Sequence, residues 1–370
     1  MPTPHVNSAE PIRPASPATP AGTSARSGAL ARVLGVPHRF FFLAGVGVLL
    51  LASLWWTWVL VARAWPAVPE PASATLDSTL HALLMTCGFA PFFMFGFVFT
   101  AGPRWLGLPP PARAAWLPGG LVAAAGALAL IPLQVTDANL IALRFVAGIL
   151  ATGWLLLVVR FHCMIRASDA PDKVHATLVL IALAAGASSP LAFALMGPEA
   201  HHWIHMTAVW CFLLPVFVTV CHRMIPFFTS GVAPFVTAFR PWWLLGALVA
   251  APLAHAVLEA AELDAWTWCV DLPTAALTLW LTFRWGLVQS LANRLLAMHH
   301  LGFVWYGLGF LLAAASSLSL LAGGHRLGLA PLHALTIGFA ASLLLAMVTR
   351  VTCGHSGRTD SPPASTCTST

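Results

Sequence analysis

Residues 333–358 read HALTIGFAASLLLAMVTRVTCGHSGR. A histidine stands at the mouth of an apolar run. The run leaves through a polar exit of Thr349, Arg350, Thr352, Cys353, His355 and Arg358. Such a stretch reads as a membrane helix with a marked entrance and exit. Ala334, Gly338, Ser342 and Ala346 fall four residues apart, which places four small side chains on one helical face. In a bilayer such a stripe lets a second helix approach backbone to backbone. His333 and Ile337 lie to one side of it, so the histidine is offered near a packed seam.

The rest of the chain has the same character. Apolar residues make up 59% of it and charged residues 8%, where a water-soluble domain carries about 25% charge. The expected fold class is an all-α, polytopic transmembrane helix bundle in a lipid bilayer. Sixteen Trp and 22 Phe against one Tyr fit helices with aromatic ends at the interfaces. The formal charge of +6 is spread among loops, which argues against a nucleic-acid partner. Seven cysteines occur without a C-x-x-C or C-x-x-C-H pair, which argues against a c-type haem attachment, a zinc ribbon and a disulfide framework.

In chain order, residues 1–37 are rich in Pro, Ala, Ser and Thr, with no short apolar core before a cleavage site. They read as a disordered cytoplasmic tail. A transmembrane domain is expected over 38–350 and a polar C-terminal tail over 351–370. About 30 Å of hydrocarbon at about 1.5 Å per residue needs roughly 20 residues. Runs of suitable length lie at about 38–62, 78–101, 115–133, 139–160, 174–196, 202–223, 241–260, 266–288, 299–321 and 330–350. That gives ten helices.

The basic residues test the count independently. With a cytoplasmic N-terminus and ten crossings, fifteen Arg and Lys fall inside and only Arg63 and Arg326 outside, with Arg144 within a span. The split follows the positive-inside rule, and both termini are expected in the cytoplasm. The same topology sorts the histidines by depth. His81, His205, His255 and His333 fall in the outer part of the membrane, with His201 and His202 just above. His162, His175, His222, His299, His300 and His355 fall toward the inner side.

Three stretches carry a family resemblance. Residues 333–358 resemble the late signature of the NnrS family, bacterial membrane proteins associated with haem, copper and nitrosative stress. Residues 81–107 (HALLMTCGFAPFFMFGFVFTAGPRWLG) resemble its early helix, and residues 222–229 (HRMIPFFT) its R-x-I-P-F-F-T segment. The early family motif usually reads HAHEM; here Leu83 and Leu84 replace the second His and the Glu. The chain also ends soon after Arg358, where the resemblance implies further helices. It implies a multi-pass protein of the bacterial inner membrane. Its cofactor would be haem, b-type and non-covalent, with copper as a possible second metal, and its ligand a small diatomic such as nitric oxide.

Imidazole is a common ligand for haem iron and copper, and ionisable groups inside a membrane point to function. His81 and His333 are the first candidate pair, each followed by Ala and Leu and then a Gly-Phe-Ala. The glycines would leave room for a flat macrocycle or a close helix. Met85, Gly88, Phe92, Phe95 and Phe99 share the face of His81, as a wall for haem or as a face turned to lipid. His201, His202 and His205, at spacings of three and four, form either a copper-type group or a polar cap. His255 completes the candidate metal ligands. Arg223 would hold a haem propionate or a lipid phosphate, or serve as a positive-inside anchor. Pro226 would stop or kink its helix. Arg144 would snorkel outward or pair with a propionate.

No phosphate-binding loop, dinucleotide fingerprint or nucleophile elbow is present. Two functions remain open: a haem protein handling nitric oxide, and a transporter or channel, since Pro91, Pro190, Pro215 and Pro252 interrupt spans. Inverted-repeat symmetry, which would favour the second, is missing.

Overall fold

The computed structural model describes residues 28–71, 76–136, 139–232 and 235–356. Most of the expected N-terminal tail and residues 357–370 lie outside them. Within the expected tails, Ala29–Val33 forms a short helix and the last membrane helix runs on to Ser356.

Eight helical stretches are long and apolar enough to cross a bilayer. One of them, Val174–Val232, has 59 residues, which would reach roughly 88 Å if straight. It is broken at Gly197, whose φ of 67° is a left-handed conformation that suits glycine. The two pieces pack against each other. A further helix, Trp268–Arg284, has 17 residues and packs along its successor. Ten helices therefore build the bundle among the described residues: α1 (Pro37–Ala64), α2 (Asp77–Trp105), α3 (Leu117–Val135), α4 (Leu140–Ala167), α5 (Val174–Met196), α6 (201–232), α7 (Trp242–Ala260), α8 (Trp268–Arg284), α9 (Arg294–Leu321) and α10 (Ala330–Cys353). The described residues contain no strand.

Helix ends follow local chemistry. Pro37 occupies the first turn of α1, where its missing N–H costs nothing. Asn139 and Asn293 cap α4 and α9 by accepting from Ile141 N and Leu296 N. α4 and α9 extend several residues past the apolar runs, taking Arg160, Arg166 and Arg294 into helical turns. Arginine heads reach the headgroups while their backbone stays helical. Pro226 lies inside α6, which continues to Val232, so of the two expected effects, a stop or a kink, the stop does not occur.

Outward-facing Leu43, Leu50, Leu54, Phe145, Ile181 and Leu195 are exposed, as a lipid-facing surface requires. α2 is the central element: 83% of its apolar window is buried, against 39% for α1. Its Phe92, Phe95 and Phe99 surround Phe41 of α1 at centroid distances of 6.2–6.3 Å. That face is core, turned neither to lipid nor to an open cofactor space. α3 and α4 approach most closely. A β-carbon on Gly153 would lie 2.2 Å from the Ala123 nitrogen, and one on Gly126 2.4 Å from the Leu150 nitrogen. The two backbones touch there, and only glycine fits.

Three helices contain a π-helical stretch: Leu84–Phe89 in α2, Met206–Leu213 in α6 and Ala334–Ala341 in α10. Such bulges shift the side-chain register and recur at functional sites. The bulge of α6 packs against those of α2 and α10, and α10 also touches α2 farther along. Register shift also changes the small-residue stripe of α10. Gly338 is filled by the indole of Trp305, 2.7 Å from where a β-carbon would sit. The close seam is made instead by glycines of α9, with Leu343 seated at Gly302 and Leu335 at Gly309.

Candidate functional site

Each bulged helix carries a histidine just before its bulge: His81, His205 and His333. All three lie at one end of the bundle, opposite the ends bearing Arg104, Arg223 and Arg350. His81 and His333 lie within electrostatic reach of each other. The Trp56 indole stacks on His81 at 3.9 Å and 16°, and Arg63 lies over that indole while reaching Asp77 at 3.5 Å. His81 Nδ1 is buried without a hydrogen-bond partner among the described residues. His333 Nδ1 is 3.0 Å from the Leu329 carbonyl oxygen. A carbonyl only accepts, so Nδ1–H donates and the lone pair is left on Nε2.

A second group adjoins the first. His205 Nε2 is 3.4 Å from Glu259 Oε1, and His255 Nε2 is 3.8 Å from Glu259 Oε2. The other nitrogen of His255, Nδ1, meets Asp271 Oδ1 at 2.7 Å, and Trp210 stacks on the ring at 3.8 Å. Asp271 is fully buried, and its Oδ2 has no partner among the described residues. His205, His255 and Glu259 line a cavity of ≈ 350 Å³ closed on one side by Leu332, the neighbour of His333. At its wall Asp264 is paired with Arg326 at 2.9 Å. Glu259 and Asp271 are thus both faced by imidazole rings.

The other expected site residues are placed elsewhere. His201 Nδ1 lies 2.9 Å from Thr79 Oγ1 of α2 and His202 is exposed, so the triplet divides between two neighbours. Among the described residues no three His, Cys, Asp or Glu side chains are arranged to hold a metal ion. Arg144 donates from Nε to the Ala194 carbonyl at 2.9 Å and from a terminal nitrogen to Leu195. It closes the end of α5 just before the Gly197 break, a structural use the sequence did not suggest. Arg223 lies 5.1 Å over the Trp105 ring and 3.6 Å from Asp172. Eighteen residues separate it from His205 along α6, roughly 27 Å at the usual rise. It cannot reach a group bound at the histidine end. The glycine gaps beside His81 and His333 are filled, by Leu84 and Val48 at Gly88 and by Trp305 at Gly338.

A family model described as NnrS protein matches residues 32–369. The chain belongs to the NnrS family. It is a multi-pass membrane protein of that family. No curated protein and no solved structure matches it. In this NnrS member the three stretches that carry the resemblance fall on α2, α6 and α10, the three bulged helices. Reading residues alone missed Glu259, Asp271, Trp56 and Trp210. The usable signal was an acidic residue inside an apolar span: Asp271, which membrane burial makes costly without a partner.

Proposed function

We propose that this NnrS member is a haem-binding protein of the nitric oxide response in a bacterial inner membrane, with His81 and His333 as the iron ligands. The observation that carries the reading is that these two imidazoles lie within electrostatic reach of each other at one end of two bulged helices. Their donor atoms fit the role. Ligating histidines commonly donate their second N–H to a carbonyl, as His333 does to Leu329, and His81 keeps a buried nitrogen without a partner among the described residues. Trp56 covers one face of His81 and excludes water from it. Arg63, at the rim, offers a cation to an acidic substituent. A bound haem would supply an iron able to take a diatomic ligand such as nitric oxide. The described residues offer copper no group of three ligands.

Protein purified in detergent should be coloured, with a Soret band that shifts when nitric oxide is added to the reduced form. A colourless, iron-free preparation from haem-replete cells would sink the reading.

The basic split further supports a cytoplasmic basic face, with the histidine end outside. Reporter fusions should read cytoplasmic after Arg358 and periplasmic in the loop at 261–267. The reverse pattern would overturn the orientation and leave the bundle itself untouched.

A further inference from the structure

Four ionisable side chains form a line from the cavity into the bundle. His205 on α6 faces Glu259 on α7 at 3.4 Å, and Glu259 faces His255 at 3.8 Å. His255 in turn donates to the fully buried Asp271 of α8 at 2.7 Å. A lone buried carboxylate would be costly in a membrane, and a chain of Asp, Glu and His there is the usual material of proton relays. The carboxylate fixes the tautomer of His255: Nδ1 holds the proton and Nε2 presents a lone pair toward Glu259. The imidazole is thus poised to accept a proton on one side while giving one up on the other.

We propose that Glu259, His255 and Asp271, with His205 at the mouth, are a proton-transfer path between the cavity and the bundle interior. The step balances. A proton taken from the cavity by the Glu259 carboxylate passes to His255 Nε2: the Glu259 O–H bond breaks and the Nε2–H bond forms. The Nδ1–H bond of His255 breaks as Asp271 O–H forms. Glu259 ends ionised, Asp271 neutral, and His255 neutral in its other tautomer. A separation of 3.8 Å exceeds hydrogen-bond length, so the first transfer needs a rotation of Glu259 or one bridging water. The adjoining cavity of ≈ 350 Å³ has the volume for such a water.

The groups facing this line do not oppose it. His202 and His201 lie near Glu259 and His205. Arg326 is engaged by Asp264. From α9, Tyr306 lies near Asp271 and donates its hydroxyl hydrogen to the Leu248 carbonyl, with Cys221 beyond it. Trp210 covers His255 with an apolar ring. The path needs no haem, so its failure and that of the haem reading are separable.

The test is infrared spectroscopy of the full-length protein in lipid nanodiscs during a change from H2O to D2O and a step to acid pH. A protonated-carboxyl band absent from Asp271→Asn identifies Asp271. In the unchanged protein this band should form and deuterate quickly. In Glu259→Gln, and separately in His255→Phe, it should form or exchange at least about tenfold more slowly while the amide bands stay those of a folded helical protein. Unchanged rates in the Glu259→Gln protein would overturn the proposal. So would the absence of any Asp271 band across the pH range in which the protein stays folded.

Discussion

Replacing Asp271 by alanine should lower stability by about 1–3 kcal/mol, the cost usual for leaving a buried donor without its acceptor. Asp271 has no solvent exposure, and its one partner in the described structure is His255 Nδ1 at 2.7 Å. With the carboxylate gone, that N–H faces an apolar interior under Trp210, where an unmade hydrogen bond retains its full desolvation penalty. Asp271→Asn should cost less, because the amide oxygen still accepts from Nδ1–H. The double variant Asp271→Leu with His255→Leu should recover much of the loss, since replacing both partners of a buried hydrogen bond by apolar groups is often nearly neutral. Unfolding in a graded denaturing detergent reads all three. If Asp271→Ala lies within about 1 kcal/mol of the unchanged protein, inside the range of ordinary surface substitutions, the pair does not hold α7 to α8.

The same pair shows where the sequence stopped being readable. Ten helices were legible because hydropathy and the placement of Arg and Lys report the membrane directly. The ends of α4 and α9 were less so, because a hydropathy run stops at Arg160 or Arg294 while the backbone keeps its hydrogen bonds. That His81, His205, His255 and His333 share one end of the bundle followed from the alternation of the helices. Their partners did not, since Asp271 sits on the next helix and nothing in the spacing of α7 points to it. The π-helical stretches left no compositional trace. A stripe read at a four-residue interval, Ala334–Gly338–Ser342–Ala346, therefore lost its register inside Ala334–Ala341. Gly338 there receives the side chain of Trp305 rather than another backbone.

At the other focus of the histidine end, the expected result is a difference in kind between single and double substitutions. If His81 and His333 both bind one iron, His81→Ala and His333→Ala should each retain some haem and change from a six- to a five-coordinate spectrum. The double variant should then lose at least roughly tenfold in haem content, because even groups that only support a ligand cost 10–100-fold in metal affinity. His333→Ala should have the larger effect of the two. Its Nε2 lone pair is fixed by the Nδ1–H bond to the Leu329 carbonyl, whereas His81 is held by stacking on Trp56. His205→Ala is the informative control, since that side chain shares the end of the bundle but faces Glu259. It should keep both haem content and spectrum. Haem lost from His205→Ala and kept by the other two would move the ligand to α6. Full haem content in all three single variants and in the His81, His333 double would remove the histidine end as the iron site altogether.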